Sequence, residues 1–158
     1  MAVKAASFPH GESAGEIHQE AASAVRGRSV GVANSSGQQL IEALRKGLPY
    51  KAITTLEKES GLSIESIADV VQIPLRTLAR RKKAGRLESL ESERLLRLGL
   101  IFEQALDLFD GDRTAAQRWL TSPAKALGGE SPLTHTQTEI GAREVEDLIG
   151  RLEHGVFS

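Results

Sequence analysis

Three cationic side chains recur at helical spacing in the segment PLRTLARRKKAGR, residues 74 to 86. Arg76, Arg80 and Lys83 stand at positions i, i+4 and i+7, so they line one side of a helix. Such a row can contact successive phosphates of a nucleic acid, and arginine can also pair with guanine. The segment holds six cations and no carboxylate. Because a face selected only for solubility normally mixes both signs of charge, the pattern favours nucleic-acid binding over a merely solvated face.

The residues of this basic side have different predicted roles. Arg76 and Thr77 lie near the amino-terminal end of the helix, and this end meets base edges when such a helix enters the DNA major groove. A guanidinium can pair with guanine and a short hydroxyl group can reach a base, so these two are the predicted base-reading residues. The predicted phosphate-binding residues are Arg80, Arg81, Lys83 and Arg86.

The other side of the same helix is apolar, since Leu75 and Leu78 fall there together. We expect both leucines to pack on the rest of the fold. Lys82 falls on this side too and is expected to contribute less to binding. Pro74 suits the first turn because it needs no amide donor, and Gly85 suits the end of the helix.

The elements around the basic helix are also predicted to be helical. Ser63 can cap a short helix that lies before the basic helix, with a tight turn between the two. Such a pair of helices has the layout of a helix-turn-helix. Elsewhere apolar residues recur at helical spacing, with Gly and Pro at the boundaries. The other predicted helices cover residues 38–46, 49–60, 89–111, 112–121 and 138–153, the fourth of these beginning at Asp112 or Thr114. A composition of 40% hydrophobic but only 4% aromatic residues agrees with an all-α fold.

The predicted helix over 89–111 is apolar on almost every side. Something must bury a helix of this kind. It is either the central helix of the domain or partly the seam of a homodimer, and both alternatives fit the pattern. In the last predicted helix, the expected buried stripe consists of Ile140, Val145, Leu148, Ile149 and Leu152.

Charge is distributed unevenly along the chain. Residues 1–86 hold 13 Lys and Arg against 8 Asp and Glu, and residues 87–158 hold 7 against 13, so the halves carry +5 and -6 while the whole carries -1. Such a split suggests a basic surface for a polyanion and an acidic surface for a cationic partner. For the acidic half, an uneven distribution by chance is the alternative.

The sequence offers little for catalysis or for a bound metal. Cysteine is absent, the four histidines show no metal-binding spacing, and no phosphate-binding loop or nucleophile motif occurs. No apolar run is long enough to span a bilayer. We therefore expect a cytoplasmic protein that catalyses no reaction, binds no cofactor or metal, and does not associate with a membrane.

The carboxyl-terminal segment EVEDLIGRLEHGVFS has a distinct character. Its helix is predicted to stop at Gly155, which leaves Val156, Phe157 and Ser158 as an exposed tail. Residues 138–158 hold five carboxylate side chains against two guanidinium groups. An anionic helix end that carries a phenylalanine can dock in a cationic pocket, although a terminal helix that only caps the core is the alternative.

Three segments together resemble a known family. They are the run IPLRTLARRKKAGRLESLESERLLRL, the segment WLTSPAKALGGESPL and the ending GAREVEDLIGRLEHGVFS. In this order they resemble the Xre/MbcA/ParS antitoxin family, over about residues 37–158. Members of this family silence toxins that have an NAD-degrading RES domain or a related ADP-ribosyltransferase-like fold.

The resemblance implies a helix-turn-helix that represses its own operon and a carboxyl-terminal domain that blocks the active site of the toxin. By position, the toxin-binding residues would be Arg151, Glu153, His154, Gly155, Val156, Phe157 and Ser158. The residues that would shape the domain are Lys125, Leu127, Gly128, Gly129, Pro132 and Leu133. Residues 134–137 depart from the family pattern, which continues with leucine-rich residues at this point.

From the residues and the resemblance we expect four parts: a mobile segment over 1–36, a helix-turn-helix region over 37–88, a long linking or dimerisation helix over 89–110, and a toxin-binding domain over 111–158. The expected partners are operator DNA and the toxin, with a homodimer inside a larger hetero-oligomer, because two half-sites multiply the affinity of one. The alternatives are a stand-alone helix-turn-helix regulator with a sensing or oligomerisation domain, and a small enzyme.

Overall fold

The computed structural model describes residues 26–155. Within this range the elements are helices, two 3-10 turns and a single isolated β-bridge, which confirms the all-α prediction. The helices are α1 (Gly37–Lys46), α2 (Lys51–Ser60), α3 (Ile64–Val71), α4 (Leu75–Ala84), α5 (Ser89–Leu108), α6 (Arg113–Thr121), α7 (Pro132–His135) and α8 (Glu139–Glu153). The 3-10 turns are Arg28–Val30 and Lys125–Leu127.

Side-chain caps fix where several helices begin. Ser63 accepts a hydrogen bond from the Ser66 amide before α3, Asp112 accepts one from the Ala115 amide before α6, and Thr138 caps α8 in the same way. Each cap satisfies an amide of the first turn that has no partner inside the helix. The predicted starts of these three helices therefore agree with the structure to within a residue or two.

The long helix α5 is the centre of the fold. The Arg28–Val30 turn and helices α1, α2, α3, α6 and α8 all pack against it. Its most deeply buried apolar residues are Leu95, Leu98, Ile101, Phe102 and Ala105. The same chain therefore buries this helix, in agreement with the central-helix alternative. Leu90, near its start, is the exception, because it is 57% exposed.

The prediction of a mobile segment over 1–36 is wrong for residues 27–30. These residues form a 3-10 turn whose Val30 is only 2% exposed, and the turn packs on α2 and α5. Residues 1–25 lie outside the described range, so the prediction for them stays a prediction.

Two residues of α5 hold this turn in place. The Glu103 carboxylate accepts hydrogen bonds from the Gly27 and Ser29 amides, both at 2.9 Å, and from the Ser29 hydroxyl at 2.6 Å. Gly99 allows the close approach, because a Cβ there would lie 2.8 Å from Ser29 Oγ and from Val30 Cγ1. This contact could not be predicted from the sequence, because its partners stand more than seventy residues apart.

The connection from α1 to α2 runs beside the connection from α4 to α5 and fixes the end of α4. The Tyr50 amide donates to the Gly85 carbonyl at 3.0 Å, and the two connections form an isolated antiparallel bridge. Gly47 has φ 89°, and a Cβ there would collide with the Leu87 carbonyl oxygen. Only glycine fits both the backbone angle and the space.

The segment over 122–133, expected to be a loop, contains the Lys125–Leu127 turn and the start of α7. Ser131 caps α7, and Pro132 occupies its first position, where the missing amide costs nothing. At the other boundary, α5 ends at Leu108 and not at residue 111, because Asp110 and Gly111 adopt left-handed backbone angles.

Two residues predicted to be buried are exposed. Leu75 is 58% exposed because α4 is buried only along a narrow arc around Leu78, and Leu75 lies outside it. Ile140 is 74% exposed because the packed side of α8 is centred on Val145, almost opposite to it on the helix.

Candidate nucleic-acid and protein-binding surfaces

Helices α3 and α4, with the three residues between them, form a helix-turn-helix. Gln72 takes the left-handed conformation that such a turn needs, at φ 62°, and its amide bonds back to the Ala68 carbonyl. Ile73 is 3% exposed and anchors the turn in the core. Pro74 directly precedes the first residue of α4. A backbone N–H at this position would have no partner inside the helix, so proline, which lacks one, is tolerated there. Hydrogen bonding and burial thus fix the conformation of the turn between the two helices.

The exposed side of α4 is strongly cationic. Its charged residues, called the basic face below, are Arg76, Arg80, Lys82 and Lys83. None of them forms an ion pair with a carboxylate among the residues that the structure describes. Their charges are therefore available to a polyanion. Lys82, which we expected on the packed side, is exposed with the others.

Arg81 is engaged inside the molecule. Its Nε donates to Glu91 Oε2 at 2.9 Å and its Nη2 to Glu91 Oε1 at 3.0 Å, while Nη2 also lies 2.9 Å from Glu88 Oε1. The side chain is only 17% exposed. The predicted phosphate contact of Arg81 is therefore not supported by its geometry, and the residue instead fastens α4 to the start of α5.

Glu91 is a buried carboxylate whose charge is stabilised by this contact. Burial opposes its ionisation, but hydrogen bonds from Arg81 and from the Glu88 amide, together with the charges of Arg81 and Arg94, outweigh burial and lower the pKa of Glu91 below its usual value. The residue is 9% exposed. A buried carboxylate that stays ionised in this way holds its partner firmly.

The remaining predicted DNA-binding residues differ in how free they are. Thr77 is half-buried and leans toward the packed side, so it is less accessible than Arg76 beside it. Arg86 is exposed, although its Nη1 donates to the Gly47 carbonyl at 2.8 Å. The apolar Leu75 shares the exposed side with the basic face, and sequence periodicity missed it because it assigned all apolar positions to the core.

A second candidate surface follows the exposed side of α8. Ile140, Asp147, Arg151 and His154 recur there at intervals of seven, four and three residues and are all exposed. We call this set the α8 face. Glu153 and Gly155 are exposed beside its end, whereas Val156, Phe157 and Ser158 lie outside the described residues.

The 125–133 segment lies against α8 and supports this surface. Leu127, Pro132 and Leu133 are buried, while Gly128 and Gly129 have φ 68° and 89° and make the turn between them. Lys125 is exposed. The glycines and the apolar residues thus give the segment its shape, which is the role that the resemblance implied for them.

A histidine bridges α7 and α8. His135 Nδ1 lies 2.7 Å from Glu130 Oε2, and its Nε2 lies 2.5 Å from Glu144 Oε2. Only the doubly protonated ring can donate to both carboxylates. Hydrogen bonds to Glu144 and Glu130 are the main reason why the pKa of His135 is raised above its usual value, in spite of its partial burial.

Hydrogen bonds connect Gln137, just before α8, to the helix-turn-helix. The Gln72 side chain donates to the Gln137 carbonyl at 3.3 Å, and the Gln137 side chain donates to Asp69 Oδ2 at 3.1 Å. The residues just before α8 therefore contact both helix α3 and the turn that orients α4.

Within residues 26–155 no cluster of histidine and carboxylate side chains is arranged to hold a metal ion. The helices of this range are also too short or too polar for any of them to cross a bilayer.

Comparison with known families divides the chain into two matched regions. Residues 39–99, which contain the helix-turn-helix, match the family described as "Antitoxin Xre-like helix-turn-helix domain". Residues 104–155, which contain α6 to α8, match the family described as "Antitoxin Xre/MbcA/ParS C-terminal toxin-binding domain". The basic face and the α8 face therefore lie in different matched regions.

Curated relatives of the chain are named Antitoxin Xre. An Antitoxin Xre of Yersinia enterocolitica is 40% identical over 132 residues, which cover 83% of this chain and 89% of the relative. An Antitoxin Xre of Photorhabdus laumondii is 36% identical over the same shares, and one of Pseudomonas putida is 34% identical over 84 residues. The chain belongs to the Xre/MbcA/ParS family of antitoxins, with a helix-turn-helix domain followed by a toxin-binding domain.

Proposed function

We propose that the chain binds an operator through α4 and silences its cognate toxin through the end of α8 and the tail that follows. The observation that carries the first half is the basic face, whose cations are exposed and unpaired with carboxylates among the described residues. Arg76 is the proposed base-reading residue, with Thr77 beside it. Arg80, Lys82, Lys83 and Arg86 contact phosphates.

The toxin-binding half of the proposal is supported by the charge of α8. Residues 138–158 hold five carboxylate side chains against two guanidinium groups. Arg151, Glu153, His154 and Gly155 are exposed, and Val156, Phe157 and Ser158 follow them in the sequence. An anionic segment at this place fits a cationic cleft made for phosphate groups, so the tail acts by occupying the active site.

The toxin itself is proposed to be a RES-domain protein or a related ADP-ribosyltransferase-like protein, whose substrate NAD carries two phosphates. The antitoxin works in the cytoplasm as a homodimer within a larger complex, because repression of its operon needs two half-sites read together. The four proposed parts of the chain are those expected from the sequence, with one change: the 3-10 turn Arg28–Val30 belongs to the folded part of the chain.

A pair of variants tests the two halves separately. Deletion of residues 153–158 should abolish rescue of growth when the toxin of the neighbouring gene is co-expressed, while binding to a duplex from the region upstream of the gene stays within about twofold. The double variant Arg76→Ala and Arg80→Ala should lose binding to this duplex but still rescue growth. Rescue by the truncated chain that equals rescue by the full chain would refute occlusion by the tail.

A further inference from the structure

The first residue of α4 presents a large apolar side chain to solvent. Leu75 is 58% exposed, although Leu78, one turn later, is 5% exposed and packs in the core. One helical turn after Leu75 stands Ala79, which is also exposed. The two form a short apolar strip along the helix.

This strip lies inside the cationic surface and not apart from it. On the helix, Arg76 and Lys83 flank Ala79 on one side, and Lys82 flanks Leu75 on the other. Helix α4 packs mainly on α3, and Arg81 ties its far side to α5, so neither contact covers Leu75. Whatever meets the basic face therefore also meets Leu75.

We propose that Leu75 contacts the 5-methyl group of a thymine in each operator half-site, and that it thereby sets part of the sequence specificity. This inference rests on the proposed DNA binding by α4. In the major groove, thymine differs from every other base by this methyl group, and apolar side chains are what read it. The amino-terminal end of the recognition helix is the part that reaches base edges.

The charges beside the strip favour DNA over a second copy of the chain as the occupant. Two basic faces brought together would place four cations opposite four cations, and such like-charge contacts are costly. A polyanion meets the same cations favourably, and a base edge in its major groove can bring a methyl group against an exposed leucine.

The test begins with duplexes enriched by the full chain from a library with a random core of about two helical turns. In the enriched duplex, each thymine is replaced in turn by deoxyuridine, which removes only the methyl group. We expect one replacement in each half-site to lower the affinity about fourfold, since a buried methyl group contributes about that much. For Leu75→Ala, the ratio of the affinity for the thymine duplex to the affinity for the uracil duplex at this position should fall below about twofold.

Leu90→Ala is the matched control, because Leu90 is equally exposed, at 57%, near the start of another helix. It should keep the ratio of the parent protein. An equal fall of the thymine-to-uracil affinity ratio in both variants would overturn the assignment. A Leu75→Asn variant with a changed oligomeric mass but an unchanged affinity ratio would overturn it as well.

The outcomes also separate this inference from the proposed function. A tightly bound duplex in which every uracil replacement is neutral would overturn the thymine contact and leave DNA binding intact. Failure to enrich any duplex would overturn both.

Discussion

Arg81 on the recognition helix and Glu91 on the central helix are joined side-on by hydrogen bonds from Nε, the shorter at 2.9 Å, and from Nη2 at 3.0 Å. Glu88 receives the same guanidinium on its outer side. The helix that would enter the groove is thus fixed to the core by one of its own cations. A row of cations in a sequence can therefore contain residues that position the row as well as residues that bind.

Replacement of Glu91 separates the two roles of Arg81. If Arg81 positions α4, Glu91→Gln should weaken binding to every duplex while the slope of log affinity against log salt stays unchanged. If Arg81 bound a phosphate, freeing it from Glu91 would instead strengthen binding and steepen the slope. Fluorescence anisotropy with a labelled duplex at several salt concentrations measures both quantities.

Arg80→Ala is the matched control for this experiment. Arg80 is exposed and has no carboxylate partner among the described residues. Loss of one phosphate contact should lower the salt slope by about 0.9. An unchanged slope and affinity would remove Arg80 from the interface.

The His135 bridge predicts a dependence of stability on pH. Because the pKa of His135 is raised in the folded state, its contribution is complete below the unfolded pKa of about 6.5 and is lost as the pH rises through the folded pKa. His135→Gln should therefore cost more free energy of unfolding at about pH 5.5 than at about pH 8.5. Urea denaturation at both pH values measures the difference, with His154→Gln, an exposed residue, as the control. A cost that rises with pH would contradict the bridge.

Two glycines of α8 should respond oppositely to the same substitution. At Gly141 a Cβ would collide with the His135 carbonyl oxygen and lie 2.9 Å from Thr138 Oγ1, whereas at Gly150 it would meet nothing within 4 Å. Gly141→Ala should thus destabilise the fold by about 1–3 kcal/mol, and Gly150→Ala should stabilise it by about 0.5–1 kcal/mol. Thermal denaturation of the two variants provides the comparison. Equal shifts of the same sign would show that the close approach at Gly141 is absent.

Ile140 is expected to contribute to the toxin interface, since it is 74% exposed and belongs to the α8 face. Ile140→Ala should change the stability by less than about 0.5 kcal/mol but weaken toxin binding by about tenfold or more. Ile41→Ala, at a 45% exposed isoleucine of α1, is the matched control and should bind as the parent does. Calorimetric titration with an inactive toxin variant measures both. Unchanged affinity for Ile140→Ala would exclude the start of α8 from the toxin interface and limit that interface to the end of the helix and the residues that follow.

Local signals allowed most of the helices to be predicted. The caps Ser63, Asp112 and Thr138 lie directly before the helices that they start, and the glycine that ends α4 follows it directly. Such signals act within one turn, so the sequence reveals them without knowledge of the tertiary structure.

The residues that were misplaced depend on contacts between distant parts of the chain. Ser29 donates a hydrogen bond to Glu103, which stands 74 positions away in the sequence. Arg81 is paired with a carboxylate of the next helix. Periodicity also overestimated the width of the packed arc on α4, which left Leu75 outside it. Arg81 and Leu75 were correctly placed on a helix, but their neighbours were not known, whereas Ser29 was wrongly assigned to a mobile segment.

The boundary between the two matched family regions, after residue 99 and before residue 104, falls inside α5. Genetic recombination at this boundary would join two half-helices whose buried faces evolved beside different neighbours. Neither matched region therefore contains the whole of α5, whose buried residues pack against helices of both regions. A chain cut at this boundary would expose these residues in both fragments, so we expect the two halves to fold as one unit.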